Sequence, residues 1–190
     1  MKSHFYAMLS RMKNIYRWGL MRNTRQENLS EHSLEVAYIA HALAVIRNRR
    51  LCGNVDANAV AVAAMFHDTS EIITGDMPTP IKYYNANIKS VYKDIEGVAQ
   101  ERLLSLLPDD LRDDFLPLYS PDEEAKKIIK AADKISALIK CIEESVGGNR
   151  EFEAAKETTL SAIKQLRLPE ADIFVEEFID SFYLPIDKLQ

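Results

Sequence analysis

Apolar residues recur at helical spacings along nearly the whole chain. At its start, Phe5, Met8 and Met12 lie three or four positions apart, which places them on one face of a helix. Similar stripes follow, and no long stretch alternates between apolar and polar residues as a half-buried strand does. The pattern predicts an all-α bundle of about six to eight helices, forming one domain over residues 1–190. The predicted helices cover residues 5–12, 28–48, 56–74, 88–103, 121–146, 151–166 and 169–182.

Capping residues and helix breakers mark where several predicted helices begin and end. Asn28, with Glu31 three residues later, has the capping-box pattern at the start of the second helix. Asp56 offers a similar start for the third helix, and Gly75 offers a stop. Two prolines within Gly75–Pro80 are incompatible with regular structure, so this segment is predicted to be a turn between helices.

Composition and charge narrow the class of protein. Of the 190 residues, 47% are hydrophobic and 28% are charged, which is typical of a globular protein and not of a disordered chain. The formal net charge of −5 disfavours a nucleic-acid-binding protein, because such a protein needs a basic surface. A local basic pocket for one small anion is still compatible with this charge.

No segment has the pattern of a membrane span or an export signal. The longest charge-free apolar stretch, Ala59–Phe66, is far too short to cross a membrane, and residues 1–13 lack the apolar core of a signal peptide. Cys52 and Cys141 lie far apart without a metal-binding spacing, which suits free thiols in a reducing compartment. We therefore expect a cytoplasmic protein whose partners include neither membrane nor nucleic acid.

The adjacent pair His67 and Asp68, with Glu71 close behind, carries the most unusual chemistry in the sequence. On the predicted helix over 56–74, Glu71 lies four positions after His67 and therefore shares its face. The three residues directly follow an apolar run. Burying an imidazole and two carboxylates is costly unless the groups are paired or bind a cation. A divalent metal removes that cost.

Two further residues complete a candidate metal site. His32 lies in the first turn of the helix over 28–48, and Asp133 interrupts the apolar face of the helix over 121–146. Two imidazole nitrogens and two carboxylate oxygens suit a borderline divalent ion such as Mn, Co, Fe, Ni or Zn, and they leave positions for water and substrate. The candidate metal ligands are His32, His67, Asp68 and Asp133.

The order of these residues, a His, then a His-Asp pair, then a distant Asp, resembles that of the HD-domain phosphohydrolases. Additional motifs resemble the YfbR-type 5′-deoxynucleotidase branch of that superfamily over nearly the whole chain. The specific motifs lie in the N-terminal two thirds, and the metal-binding core spans about 28–146. The motifs are Arg17-Trp18, the stretch from Arg22-Asn23 through Glu27-Asn28, Ser30-Glu31-His32-Ser33, His67-Asp68 with Ser70-Glu71, Gly75-Asp76 with Pro78-Thr79-Pro80, and Ala132-Asp133.

This resemblance implies an HD-domain helical bundle and a cytoplasmic homodimer that hydrolyses 2′-deoxyribonucleoside 5′-monophosphates. It implies one divalent ion, with cobalt and manganese among the candidates, held by the four candidate ligands. By position, Arg17 would orient the phosphate and act in catalysis with Glu71, and Trp18 would lie against the sugar. Asp68 would face the substrate as well as the metal. The remaining nucleoside contacts would come from Asp76, Met77, Pro78 and Thr79.

The positions that the resemblance implies give a physical reason for a deoxyribose preference, and two other functions stay open. Trp18 packed at the 2′ carbon would leave an added hydroxyl without space or a hydrogen-bond partner. Asp76 would accept a hydrogen bond from the 3′ hydroxyl. One alternative is another HD hydrolase acting on a deoxynucleoside triphosphate, a cyclic dinucleotide or an alarmone. The other is a non-catalytic sensing module whose metal stabilises the fold.

Overall fold

The computed structural model describes residues 2–82 and 84–189. Within these residues the only β structure is one bridge between Tyr16 and Asn28, so the all-α prediction is confirmed. The described residues form α1 (Phe5–Leu9), α2 (Leu29–Arg50), α3 (Ala57–Phe66), α4 (Glu71–Thr74), α5 (Thr79–Lys82), α6 (Ala86–Leu104), α7 (Asp109–Tyr119), α8 (Glu123–Val146), α9 (Glu153–Gln165) and α10 (Pro169–Phe178). Short 3₁₀ turns lie at Ser10–Asn14, Arg150–Phe152, Ile179–Tyr183 and Ile186–Lys188. The described residues thus contain ten α-helices, slightly more than the predicted six to eight, and three of them, α1, α4 and α5, have five residues or fewer.

Helices α2 and α8 form the centre of the bundle. They pack against each other, while α3 and α10 pack on α2 and α9 packs on α8. Their facing sides carry inaccessible aliphatic residues, including Val36 on α2 and Ile128 and Ile135 on α8. Burying one such side chain contributes roughly 1.5–3 kcal/mol. The two helices that carry His32 and Asp133 are therefore firmly held by the core.

The predicted capping residues are confirmed. The Asn28 side chain accepts hydrogen bonds from the amides of Ser30 and Glu31 at 3.0 and 3.1 Å. The Glu31 side chain in turn accepts from the Asn28 amide at 3.3 Å, which completes the capping box. Asp56 caps α3 by accepting from the amides of Asn58 and Ala59, both at 3.0 Å, without a reciprocal side-chain bond. Gly75 ends α4 with a positive φ of 75°, a conformation that glycine adopts without steric cost.

Helix α7 lies where the apolar pattern predicts no helix. Its sequence is rich in aspartate, and Pro117 removes one hydrogen bond from its interior. Asp109 and Asp110 in the first turn interact favourably with the helix dipole. Phe115 packs edge-on against Phe66 at a ring-centroid distance of 6.0 Å. Packing of this kind, and not local propensity, explains why the segment is helical.

The apolar stripe of α6 is buried on one side only. Tyr92 and Leu103 are inaccessible, whereas Val91, Ile95 and Val98 are 51%, 49% and 71% exposed. Despite this apolar surface, neither α6 nor any other helix in the described part of the chain is long and apolar enough to cross a membrane.

The irregular segment that precedes α2 is fastened to α8 by a buried carboxylate. Glu144 accepts hydrogen bonds from the amide and hydroxyl of Thr24 at 2.8 and 2.7 Å, and from Asn149 Nδ2 at 2.8 Å. Lys140 Nζ lies 2.5 Å from Glu144 and also donates to the carbonyl of Arg25. Burial would raise the pKa of Glu144, but hydrogen bonds from Lys140, Thr24 and Asn149 outweigh it and lower that pKa.

Replacing Glu144 with alanine is expected to destabilise the fold by about 3–5 kcal/mol, because Lys140 would be left buried without its partner. Denaturant unfolding measures the change. The control is Glu143→Ala, an exposed neighbour on α8, which should change stability by less than about 0.5 kcal/mol. Equal effects of the two substitutions would contradict the assigned role of Glu144.

The same contribution should depend on pH in a defined direction. The folded-state pKa of Glu144 lies below the ordinary glutamate value of about 4.3. Its contribution to the free energy of unfolding is therefore complete above about pH 4.3 and is lost as the pH falls through the folded-state pKa. We expect the stability difference between wild type and Glu144→Ala to shrink in acid.

Candidate metal centre and substrate site

The candidate site forms where α3 ends. The helix stops at Phe66, and a turn precedes α4, so the prediction of one unbroken helix over 56–74 is wrong. His67 Nδ1 donates to the carbonyl of Ala64 at 2.8 Å. In an unbroken helix that carbonyl would accept from the amide of Asp68. The turn places His67 and Asp68 at the helix end, where both approach His32 on α2.

The two histidines each have one ring nitrogen committed to the protein. Because His67 Nδ1 donates to a carbonyl, the neutral ring of His67, the form that binds a metal, carries its lone pair on Nε2. His32 Nδ1 lies 3.1 Å from Ser136 Oγ, whose own proton is donated to Glu35 Oε2 at 2.5 Å. Ser136 therefore accepts from His32 Nδ1, and His32 Nε2 also carries a free lone pair. Among the described residues, neither buried Nε2 atom has a hydrogen-bond partner.

Both Nε2 atoms converge on the carboxylate of Asp68. One Asp68 oxygen lies 3.1 Å from His67 Nε2 and 3.6 Å from His32 Nε2. His32, His67 and Asp68 can each supply one ligand atom such that all three atoms lie within 4.8 Å of one another. Asp133 stands beside this group, with one oxygen 3.2 Å from His32 Nε2. The four predicted ligands are thus neighbours, three of them in the tight cluster.

The electrostatic field of the cluster favours a cation. Burial would lower the pKa of His67, but Asp68 and Asp133 outweigh it and raise that pKa to about 9. Burial has the opposite effect on the Asp133 carboxyl and would raise its pKa, but His32 and Arg17 outweigh burial and lower that pKa to about 2. Surroundings that hold a proton on a buried imidazole also attract a metal ion. Two unpartnered imidazole nitrogens and two ionised carboxylates therefore fit a borderline divalent metal.

Arg17 reaches the same cluster from the irregular N-terminal segment. Its guanidinium lies 3.3 Å from Asp68 and 3.8 Å from Asp133, and its side chain is 12% exposed. The Arg17 amide donates to the carbonyl of Glu27 at 3.0 Å, which anchors the backbone that carries it. The structure thus brings the predicted phosphate-binding residue to the edge of the candidate metal site.

Trp18 follows Arg17 and is half-buried beside Phe152. Their ring centroids are 5.3 Å apart. The indole Nε1 donates to Glu27 Oε2 at 2.9 Å. Trp18 has a φ of 61°, a left-handed conformation that is uncommon for a bulky residue and characteristic of ligand sites. Its carbonyl accepts from the amide of Met21 at 2.9 Å, which closes the strained turn.

The loop between α4 and α5 supplies the other predicted substrate contacts. Burial raises the pKa of Asp76, while Arg17 and a hydrogen bond from the backbone of Trp18 oppose that rise. Asp76 therefore lies close to both predicted substrate-binding residues of the N-terminal segment. Met77 and Pro78 are half-buried in the same loop. The side chain of Thr79 lies outside the described residues.

Glu71 begins α4 and is 4% exposed. Burial, together with Asp68 and Asp76, raises the pKa of this carboxyl to about 9. Lys82 Nζ lies 3.9 Å from Glu71 Oε1 and donates to Glu96 at 3.0 Å. The predicted helical spacing from His67 is absent, yet the turn brings Glu71 into the electrostatic reach of Asp68. A buried, protonated carboxyl next to a candidate metal site is suited to proton donation.

A cavity of about 280 Å³ opens beside the cluster, and His67 and Asp133 form part of its wall. It gives these two residues access to solvent on the side of α7. The other lining residues are Ala63, Phe66, Gln100, Leu118, Tyr119, Pro121, Lys126, Ile129 and Lys130.

Sequence reasoning missed the residues that hold the predicted site residues in place. Glu27 contacts Arg17 and Trp18, and Ser136 contacts His32. Glu27 and Ser136 occur inside or next to the quoted motifs, but no spacing rule links a residue of the irregular segment to one on α8. Lys82, which faces Glu71, was equally invisible in the sequence pattern.

The sequence matches the family described as 5′-deoxynucleotidase YfbR-like over residues 4–182. It is 50% identical to the 5′-deoxynucleotidase YfbR of Shigella flexneri serotype 5b over 191 aligned positions, which cover 99% of this chain and 96% of that protein. The 5′-deoxynucleotidase YfbR of Escherichia coli is 49% identical over the same shares of the two chains.

Solved structures share the fold. An HD-domain phosphohydrolase from Listeria innocua superposes with a TM-score of 0.81 at 24% identity, covering 94% of this chain and 88% of that one. The cyanophage S-2L HD phosphohydrolase DatZ, bound to dA and one catalytic Zn²⁺ ion, gives a TM-score of 0.67 at 20% identity, covering 93% and 96%. The expected HD-domain helical bundle is confirmed.

Proposed function

The chain belongs to the YfbR-like 5′-deoxynucleotidase family, and on that basis we propose that it hydrolyses 2′-deoxyribonucleoside 5′-monophosphates to a deoxyribonucleoside and phosphate. The observation that carries this proposal is the convergence of two unpartnered imidazole nitrogens on Asp68, next to the guanidinium of Arg17. A metal-binding group beside a phosphate-binding group is the arrangement that metal-dependent phosphate ester hydrolysis requires.

His32, His67 and Asp68 would hold one divalent ion, with Asp133 as the fourth ligand. When bound, such an ion supplies Lewis-acid polarisation of the phosphate and increases the acidity of an attacking water. The roles of these four residues rest on the free Nε2 lone pairs and on the short contacts of Asp133 and Asp68 with His32.

Arg17 orients the phosphate. Its planar guanidinium can donate two parallel hydrogen bonds to phosphate oxygens, and its charge offsets the negative charge on those oxygens in the transition state. Asp68 and Asp133, at 3.3 and 3.8 Å, hold the guanidinium beside the residues that would bind the metal.

Trp18 and the loop after α4 bind the sugar. The indole excludes a 2′ hydroxyl by occupying the space beside the 2′ carbon, where an added hydroxyl would lose water without gaining a partner. Asp76 accepts from the 3′ hydroxyl. Met77, Pro78 and Thr79 complete this side of the site.

Glu71 donates a proton during phosphate release. Its pKa of about 9 keeps the carboxyl protonated at neutral pH, and its position beside Asp68 brings that proton to the reacting phosphate ester. Transfer to the departing 5′ oxygen would avoid expulsion of an unstable alkoxide.

Phosphate release from a panel of nucleotides tests the proposal. The purified chain is loaded with Co²⁺ or Mn²⁺ and supplied with the four common deoxynucleoside monophosphates and their ribose counterparts. A deoxynucleoside triphosphate, a cyclic dinucleotide and an alarmone are tested in the same way, with their products separated by chromatography. We expect the deoxynucleotides to be preferred with little dependence on the base. Faster turnover of a deoxynucleoside triphosphate, a cyclic dinucleotide or an alarmone would identify another HD hydrolase. Metal binding without turnover of any of them would indicate a sensing module.

Replacing Ser136 with alanine is expected to weaken metal binding by about 10–100-fold, because His32 Nδ1 would lose the acceptor that fixes its tautomer and ring orientation. Titration with Co²⁺, followed by its visible absorption, measures the affinity. Ser145→Ala is a matched control on the same helix, because the Ser145 hydroxyl donates to the Cys141 carbonyl one turn away and contacts no candidate metal ligand among the described residues. Unchanged affinity in Ser136→Ala would contradict the assigned role.

A cytoplasmic homodimer that uses cobalt or manganese is part of the same proposal. Free Cys52 and Cys141 suit a reducing compartment. The exposed Val91, Ile95 and Val98 on α6 offer an apolar surface that a second copy could cover. Light scattering should give twice the 21.6 kDa chain mass. A mass equal to that of one chain would refute the dimer without affecting the proposed reaction.

A further inference from the structure

Glu27 is a nearly buried carboxylate that the mechanism above does not use. It lies in the irregular segment just before α2, and its side chain is 13% exposed. Oε2 accepts the indole proton of Trp18 at 2.9 Å and lies 3.5 Å from Arg17 Nε. Oε1 lies 3.6 Å from His32 Nδ1. One side chain thus touches a candidate sugar-facing group, a phosphate-binding group and a metal ligand.

The indole of Trp18 depends on this carboxylate for its orientation. On one side it contacts Phe152, which is fully buried and offers only an apolar surface. This tilted packing, at 57°, is apolar and non-directional, so by itself it does not fix the rotation of the indole about its side-chain bonds. The hydrogen bond to Glu27 fixes that remaining freedom, because an indole has a single N–H donor.

The backbone at Trp18 makes this restraint more important. A φ of 61° is costly for a non-glycine residue, and such conformations persist only where the surroundings impose them. Here Glu27 restrains both residues of the Arg17-Trp18 pair. The Glu27 carbonyl accepts from the Arg17 amide, and the Glu27 side chain accepts from the Trp18 indole. Loss of the side-chain contact would release the indole while the backbone contact stays in place.

We propose that Glu27 is a positioning residue for the sugar subsite, which holds the Trp18 indole in place and thereby sets the preference for deoxyribose over ribose. The inference rests on the proposed function. An indole that can move by a fraction of its width no longer fills the space beside the 2′ carbon, so a ribose hydroxyl would be admitted. The contact with Arg17 gives Glu27 a second, separable effect on phosphate orientation.

Two substitutions separate these effects. Glu27→Ala removes both the acceptor and the charge, and it should lower the ratio of kcat/KM for dAMP over AMP by about tenfold, the effect of one hydrogen bond of about 1.4 kcal/mol. Glu27→Gln keeps an acceptor oxygen for the indole but removes the charge near Arg17. It should keep the wild-type ratio while lowering kcat/KM for both nucleotides. A merely structural role for Glu27 would lower both rates and leave the ratio unchanged in each variant.

A double-mutant cycle tests whether the effect passes through Trp18. Trp18→Phe removes the N–H donor, so adding Glu27→Ala to it should change the dAMP to AMP ratio no further. Glu151→Gln is the control. This residue bonds to Arg22 in the same segment and adjoins Phe152, but it has no contact with the indole among those described. It should keep the wild-type ratio.

Fluorescence gives a readout that needs no turnover. Trp18 is the only tryptophan in the sequence, so all indole emission reports on it. Glu27→Ala should increase quenching by acrylamide and lower the emission anisotropy, and Glu27→Gln should resemble the wild type. If Glu27→Ala fails to fold, as circular dichroism would show, Glu27→Asp replaces it, because its shorter side chain cannot reach the indole.

The outcomes distinguish failure of this inference from failure of the proposed function. A wild type that releases no phosphate from dAMP or AMP refutes the proposed function, and with it the selectivity part of the inference. If the wild type prefers dAMP over AMP, and Glu27→Ala keeps the wild-type dAMP to AMP ratio, the wild-type emission and the wild-type anisotropy, the inference alone is overturned. Equal wild-type rates on dAMP and AMP would also overturn it while leaving a phosphomonoesterase in place.

Discussion

Replacing His67 with alanine is expected to reduce phosphate release by about a thousand-fold or more. His67 Nδ1 is committed to the Ala64 carbonyl, so its Nε2 is the ring atom available to a metal. The substitution removes one of the two imidazole nitrogens that can act as metal ligands in the cluster. Metal-ion catalysis contributes several kcal/mol to transition-state stabilisation, and each 1.36 kcal/mol corresponds to tenfold in rate, which gives about 10³-fold. Elemental analysis should show a parallel loss of bound metal.

A matched control lies on α2. His41 is an exposed histidine, and His41→Ala should keep both the metal content and the rate of the wild type. Asp68→Asn, which preserves the shape of the side chain, should reproduce the loss seen in His67→Ala, because Asp68 contacts both histidines and Arg17. A His67→Ala variant with wild-type metal content and rate would remove this residue from the metal site.

Replacing Glu71 with glutamine is expected to slow phosphate release by about 10²–10⁴-fold while the metal content stays unchanged. Glutamine has the shape of glutamate but cannot give up a proton to the departing oxygen. Burial, Asp68 and Asp76 raise the pKa of Glu71 above the ordinary glutamate range, so the wild-type carboxyl keeps its proton at neutral pH. Wild-type activity should therefore fall as the pH rises through that pKa, and the variant should lack this decline.

His67→Ala and Glu71→Gln should lose activity for different reasons if His67 binds the metal and Glu71 donates the proton. His67→Ala loses metal and activity together, whereas Glu71→Gln loses activity alone. Loss of metal from Glu71→Gln would make Glu71 a supporting group of the metal site. A rate within a few-fold of wild type would show that Glu71 takes no part in proton transfer.

The order of the candidate ligands could be predicted from the sequence because each is conspicuous in its own segment. Asp133 interrupts an apolar helix face, and His67 and Asp68 follow an apolar run. Helix caps at Asn28 and Asp56 were equally readable, because capping depends on residues within one turn. Such local signals predicted which helices carry the site and the residues at its centre.

The break after α3 could not be predicted, because it depends on the side chain of His67 competing for a carbonyl that periodicity assigns to the helix. Helix α7 was missed because packing against Phe66 and its neighbours outweighs a poor local pattern. Glu27 and Ser136 act through contacts between segments distant in sequence. Residues of this kind become visible only when the chain is folded.

Anomalous diffraction from crystals of Glu71→Gln grown with Mn²⁺ and dAMP tests the central claim most directly. We predict one anomalous peak in bonding contact with His32 Nε2, His67 Nε2, Asp68 and Asp133, and a substrate phosphate held between that peak and Arg17. A peak elsewhere in the molecule, or a nucleotide bound without contact to either the ion or Arg17, would contradict the proposed site.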